Sequence, residues 1–549
     1  MFYAVGVRSL VLIDGHPAKT SRQYIAHLKG LCVVNCLFVF SVSQRCYIFV
    51  LFYHTCSLMH FSAASFRGRH YLGGPEYTCT YCKAVFWFNE RCVQTSSFHK
   101  RKMFSNHCCK GGRVRLEPYR RWPAPLDRLI GFGGGAESSA FMRSIRSYNS
   151  MFAFSSLGVK VDDSINTGRG PYVFRVNGLP VHRIGSLVPA PNKSPKFAQL
   201  YIYDTANEID HRLAVFDGAG NGGGEGGSGG GPDRDIVVSL TAMLNDCNAL
   251  VKQFRMIRVS RERVELAAAP FSIRIVGSAS DDPRVYSPPT APELAALIVG
   301  DLDADRCKFD IVVELEEGPL KRISPLHPAL MSLQYPLLFP YGDKGFHLGI
   351  RYIETEDVLA GGRSEVSMLE YYAYQCRYRK GHTNPYLCCG RLSQQACVDA
   401  YACVESNRLS FILKNQDKLR SETYQGITDA VGQGSATGRS VGVKVVLPSG
   451  FIGSKRYMAQ NYQDAMAICR CYGAPDLFVT FTCNPKWDEV ADALRFEPGQ
   501  KPADRPDIVS RVFKMKLDQL YSEVKDGTAF GKTRAGAFLF ICVSRSLFY

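Results

Sequence analysis

Histidine pairs at a spacing of two are missing from this chain: none of its twelve histidines lies two residues from another, and the last is His382. A His-hydrophobic-His strand, which would aim two imidazoles at one divalent cation, cannot be built from these 549 residues. An apolar run of the length a membrane helix needs, about 20 residues, is also lacking. Leu31 to Ser43 is uncharged and mostly apolar, but Gln44 and Arg45 intervene before Cys46 to Tyr53 resumes that character. An arginine would then sit in the second half of any span, so a membrane segment over residues 31–53 is the minor alternative. The start of the chain lacks the basic-then-apolar order and the small-residue cleavage pattern of a secretion signal. The twenty cysteines, scattered through a large chain, read as reduced intracellular thiols and not as a disulfide framework. A nucleotide-binding loop is missing too: Gly527 to Thr533 imitates one, but only Thr528, Ala529 and Phe530 separate its glycines, one residue short of the loop's spacing, and no acidic magnesium-holding strand follows. No ATP site is expected.

Acidic residues are scarce at one end. Residues 1–130 hold 18 Lys/Arg against 5 Asp/Glu, a surplus of +13 out of the chain's total of +16. The basic character is therefore local, which points to phosphate contact by that region, with a solvated basic surface as the plain alternative. An apolar content of 46% with 21% charged residues is ordinary for globular protein and leaves room for several domains.

Gly218 to Pro232 holds ten glycines in fifteen residues and reads as a flexible linker, and Gly131 to Gly135 makes a shorter break. After the linker, Leu240, Met243, Leu244, Cys247, Leu250, Val251 and Phe254 recur at helical spacing and predict one amphipathic helix. Strands are expected at Phe271 to Val276, Asp310 to Leu315 and Leu477 to Phe481, and helices at Met368 to Arg379, Cys397 to Lys414 and Tyr462 to Cys471. The fold class is a mixed α/β or α+β arrangement of several domains. The expected divisions are an apolar extension at 1–65, of doubtful authenticity, and a basic cysteine-rich module at 66–130. Segments at 136–217 and 233–345 flank the linker at 218–232. A unit at 346–533 and an aberrant tail at 534–549 complete the chain.

Cys79-x-x-Cys82 followed by Cys108-Cys109 is the best metal candidate, because thiolates two apart on a turn can share one tetrahedral zinc that a distant pair completes. Cys92, His99 and His107 are substitutes, and ordinary free cysteines are the alternative. Lys100, Arg101, Lys102, Arg113, Arg115, Arg120 and Arg121 lie in or beside this module and would supply a phosphate-binding surface. Tyr374 and Tyr378 are four apart and would share a helix face, where an aromatic packing role is preferred to a nucleophilic one.

Pro475 to Trp487 (Pro-Asp-Leu-Phe-Val-Thr-Phe-Thr-Cys-Asn-Pro-Lys-Trp), with Asn461 to Cys469 and Val446 to Met458 before it, closely resembles the N-terminal helicase-like region of plant Helitron transposon proteins. The resemblance extends back through His327 to Gly342, Phe197 to Asp204 and Tyr148 to Phe154 to Cys79-Thr-Tyr-Cys82, roughly residues 70–530. It implies a nuclear protein that binds DNA, single strands among its targets. In full-length members the region leads into a rolling-circle nuclease, with a His-hydrophobic-His metal site and tyrosine nucleophiles, and then a helicase. The family also has a Cys-x-x-Cys and a downstream Cys-Cys in this region, which implies a zinc knuckle. Thr480, Thr482 and Pro485 match the first nuclease motif and are expected as remnants of a site at a sheet edge that has lost its neighbouring strand. Since Thr533 to Tyr549 does not run into a histidine strand, the expectation is a truncated or mis-spliced protein with no catalytic residue. DNA binding would be its one retained activity; a domesticated protein-interaction module or a decayed gene product are the alternatives.

Overall fold

The computed structural model describes residues 38–41, 47–54, 70–92, 103–131, 133–158, 160–161, 173–177, 181–189, 194–203, 206–217, 232–263, 271–275, 295–299, 311–314, 320–353, 363–415, 447–451, 454–473, 475, 477–526 and 533–540. Helices and short antiparallel sheets mix throughout, as the sequence predicts.

In chain order the first strands are β1 (Phe38–Ser41), β2 (Tyr47–His54), β3 (Tyr77–Thr78) and β4 (Val85–Phe86), followed by helices α1 (Asn106–Cys109), α2 (Leu126–Leu129) and α3 (Gly135–Phe152). Strands β5 (Ser156–Leu157), β6 (Lys160–Val161), β7 (Val173–Asn177) and β8 (His182–Ile184) precede helices α4 (Glu208–Asp217), α5 (Arg234–Cys247) and α6 (Ala249–Arg263). Then come β9 (Phe271–Ile275), β10 (Ala295–Val299), β11 (Ile311–Glu314), β12 (Lys321–Arg322), α7 (Leu330–Gln334), α8 (Met368–Gln375) and α9 (Gly390–Lys414). The last elements are α10 (Lys455–Tyr472), β13 (Leu477–Thr482), α11 (Asp488–Leu494), α12 (Pro506–Asp526) and β14 (Thr533–Phe540).

The single helix expected across Leu240 to Phe254 is two. Asn248 takes an extended conformation at the end of α5, and its side-chain oxygen accepts from the Val251 amide at 3.1 Å, capping the first turn of α6. An asparagine that bonds its own backbone breaks a helix whose apolar spacing runs on unbroken. The Gly-rich linker falls almost wholly outside the described residues.

Among the described residues two apolar cores form. The larger runs from Cys79 to Val404, and in it three separated sequence motifs converge. Phe154 donates its amide to the Leu333 carbonyl at 2.8 Å, Asn149 donates to the Gln334 carbonyl at 2.9 Å, and Tyr201 stacks on Phe154 at 4.4 Å while its hydroxyl donates to the Phe152 carbonyl at 2.6 Å. The smaller core gathers Cys483, Val490, Ala493, Ile508, Val509, Val512 and Phe513 from the β13 to α12 region, together with Trp87 from the cysteine-bearing segment.

At β13 the structure departs from an edge left without a neighbour. β13 pairs antiparallel with β2, and β2 pairs antiparallel with β14, giving the order β13-β2-β14. A run of the apolar extension thus occupies the place beside β13, and β14 lies in the stretch expected to be an aberrant tail; residues 541–549 lie outside the described residues. Among the described residues no helix is long and apolar enough to cross a membrane.

Candidate metal centre

Two local devices bring four sulfurs together. In the first, the turn between β3 and β4 is closed by Cys79 N donating to Ala84 O at 2.9 Å and Lys83 N to Cys79 O at 3.0 Å, with Lys83 in the left-handed region at φ 60°. This folds Cys82 back over Cys79, whose sulfur accepts from the Cys82 amide. In the second, Ser105 caps α1 by accepting from the His107 amide at 3.3 Å, and the following residues Lys110, Gly111 and Gly112 all take positive φ, which reverses the chain. Gly112 has no room for a side chain: a Cβ there would stand 2.7 Å from the Tyr81 ring. Cys108 and Cys109 are consequently buried against the first turn.

The sulfurs of Cys79, Cys82, Cys108 and Cys109 all lie within 4.8 Å of one another. Cys79 to Cys109 and Cys108 to Cys109 are each 3.7 Å. A disulfide would need about 2.05 Å, whereas a tetrahedron with zinc–sulfur bonds of about 2.3 Å has edges of about 3.8 Å. The spacing is that of a tetrahedral thiolate cage. Protonation points the same way. Hydrogen bonds from Cys108 and then Cys109 hold Cys79 down at about 7, and Cys108, Cys109 and Cys79 lower Cys82 further, with Arg379 adding its charge. Cys108, which Cys109 pulls down, is pushed up on balance by Cys79, Cys82 and burial, while Cys109 is pushed up by Cys108, Cys79 and Cys82. Four thiols this close cannot all ionise without a cation, and a divalent ion would remove that conflict. The donor set fits a structural zinc: closed, all sulfur, with no position left for a reacting water.

The cage is tied to distant sequence by charged groups that local spacing does not reveal. Arg379 donates from Nε to the Cys82 carbonyl at 3.0 Å, places a terminal nitrogen 3.6 Å from the Cys82 sulfur, and packs over the Tyr374 ring at 3.7 Å. Val85 N donates to Tyr378 O at 2.9 Å. Beyond β4, the Glu90 carboxylate is buried between Arg377 at 3.0 Å and Arg511 at 2.5 Å, and Arg511 also lies over the Trp87 ring at 4.6 Å. Burial pushes the Glu90 carboxyl up, but Arg511 and Arg377 outweigh it and hold the group at about 2. Lys110, just past the second cysteine pair, pairs with Glu370. The one available sequence signal for this junction is scarcity, Glu90 being one of only five acidic residues among the first 130.

The other expected site residues scatter more widely. Cys92 accepts from the Asn106 side chain at 3.3 Å and, like His107, stands outside the four-sulfur group; His99, Lys100, Arg101 and Lys102 lie outside the described residues. Arg113 is half-buried over the Tyr352 ring at 4.7 Å. Arg115 and Arg121 are exposed, and exposed Arg120 stacks on Tyr341 at 3.7 Å while pairing with Asp343 at 3.2 Å. Thr480 and Thr482 sit on β13 opposite Phe49 and Tyr47, and Thr482 and Pro485 are exposed. Tyr374 and Tyr378 do not share a helix face, because α8 ends at Gln375. Tyr374 is buried with its hydroxyl on the Leu116 carbonyl at 3.4 Å, and Tyr378 stacks on Phe496 at 5.2 Å.

No curated protein matches the chain. Residues 371–540, which contain Arg377, Arg379, Arg511, β13 and β14, match the family model described as the Helitron helicase-like domain at the N-terminus. The chain thus carries a Helitron helicase-like N-terminal domain over those residues, which supports a transposon origin.

Proposed function

We propose that this chain is a zinc-stabilised DNA-binding protein of the nucleus, and that the cysteine cage serves as its structural pivot. The carrying observation is the placement of arginines directly after the second cysteine pair: Arg115 and Arg121 are exposed, and Arg120 is held outward by the Tyr341 ring. A backbone fixed at one end by a metal presents those guanidiniums as a set, which suits recognition of phosphates without base readout. Asp343 occupies Arg120 in the free protein, and a phosphate would take its place. Lys100, Arg101 and Lys102 extend the same basic segment in sequence.

The zinc would contribute local folding energy and fix the β3–β4 turn against α1, with no part in bond breaking. Strand cleavage is not assigned to these residues. The sequence has no histidines two apart, and Tyr374 and Tyr378 are engaged in packing and stacking. Thr480, Thr482 and Pro485 are read as strand and turn residues of the family domain.

The test is binding of a fluorescent single-stranded oligonucleotide to the zinc-loaded full chain across a salt series. Affinity should fall linearly with log salt, and replacing Arg115, Arg120 and Arg121 with alanine should reduce the slope by roughly 0.7 per lost phosphate contact. Binding that ignores salt, or a slope untouched by the triple substitution, contradicts the reading.

A further inference from the structure

The outer strands of the sheet β13-β2-β14 fall inside residues 371–540, and its middle strand does not. β2 meets β13 from Leu477 opposite Phe52 to Thr482 opposite Tyr47, and meets β14 along its other edge from Thr533 opposite His54 to Phe540 opposite Ile48. Both hydrogen-bonding edges of this strand are used. With β2 between them, β13 and β14 stand two strand spacings apart, about 9.5 Å, which defines a slot one strand wide.

A second observation shows that the supply of this strand is local. Just after β2 the chain is fastened to the helices of the same unit: Lys516 donates to the His70 carbonyl at 2.7 Å, the Leu72 amide donates to Glu489 at 2.8 Å, and the Tyr71 hydroxyl bonds Asp492. Only residues 55–69 separate β2 from that anchor, a tether that spans at most about 50 Å when extended. Tyr47 to Tyr53 also carries no charge, the pattern of a strand covered on both faces.

We propose that residues 47–54 are the resident donor strand of the helicase-like domain: β13 and β14 form a strand-accepting slot, and this N-terminal segment fills it within the same chain. The domain is then incomplete over its matched residues alone. Its main-chain hydrogen bonds would accept another extended apolar segment of similar length in the same place. The proposal is independent of the zinc and DNA reading.

Hydrogen exchange on the unsubstituted full chain tests it. Amides of 47–54 should exchange about a hundredfold or more slowly than in a free peptide, together with those of 477–482 and 533–540. Val50→Pro, which disrupts the ladder at its centre, should release all three segments while α3 stays protected. Adding a synthetic peptide of residues 45–56 to that variant should restore slow exchange at 477–482 and 533–540. Free-peptide exchange at 47–54 in the unsubstituted chain overturns the proposal, and this readout decides even where the proline variant does not fold. Unchanged protection of 477–482 and 533–540 in a folded Val50→Pro chain overturns it as well. Protection that disappears on dilution with a dimer would place the strand in a second copy and overturn the assignment within one chain.

Discussion

Glu90 shows how a single residue joins parts of the chain that sequence spacing leaves unrelated. Its two arginine partners lie 287 and 421 residues away, and no periodicity or motif relates positions so far apart. The cysteine set was legible because two of its ligands sit on one turn and two are adjacent, so that only one distant pairing had to be inferred. Removing Glu90 takes away the carboxylate that bridges two buried guanidiniums, and Glu90→Gln should cost about 3–5 kcal/mol of stability in urea unfolding. The pH dependence follows in sign. The folded carboxyl sits at about 2 against an ordinary value of 4.5. Its stabilisation is therefore present above about pH 4.5 and is lost as pH falls toward 2, by about 3 kcal/mol in all. That acid loss should be absent from the Glu90→Gln chain, and an identical slope in both would remove Glu90 from the account.

Among the elements, helices with a clear apolar face were readable and their interruptions were not. The periodicity through Leu240 to Phe254 is uninterrupted, so only the Asn248 side chain, turning back on its own backbone, marks the break. Asn248→Ala should lower stability by about 1 kcal/mol through loss of the cap, measured by thermal unfolding; no change would mean that the break is imposed by packing alone. The turn after α1 makes a stronger demand. Gly112 combines φ 96° with a Tyr81 ring 2.7 Å from where a Cβ would be, so Gly112→Ala should weaken metal retention during dialysis, whereas a chain that keeps its metal would show the loop to be tolerant. Strand alternation predicted β13 well, but alternation does not name a partner, and the pairing of β13 with β2 across more than 400 residues was beyond it.

The described residues form two cores, and the segment carrying the first cysteine pair is wedged between them: Cys79, Ala84 and Phe86 enter the larger and Trp87 the smaller. A metal held by Cys79, Cys82, Cys108 and Cys109 would fix that wedge in shape, and Arg379, from the helicase-like domain, donates to the Cys82 carbonyl. The mixed fold class and the cysteine cage could be read from sequence because both are local patterns; the wedge depends on contacts between distant segments. The four sulfurs are placed to bind one zinc ion. X-ray absorption at the zinc edge on the purified full chain measures it directly. The expected result is about one zinc per chain surrounded by four sulfurs at about 2.3 Å. A chain that purifies folded without zinc, or whose zinc is coordinated by nitrogen and oxygen, would contradict it.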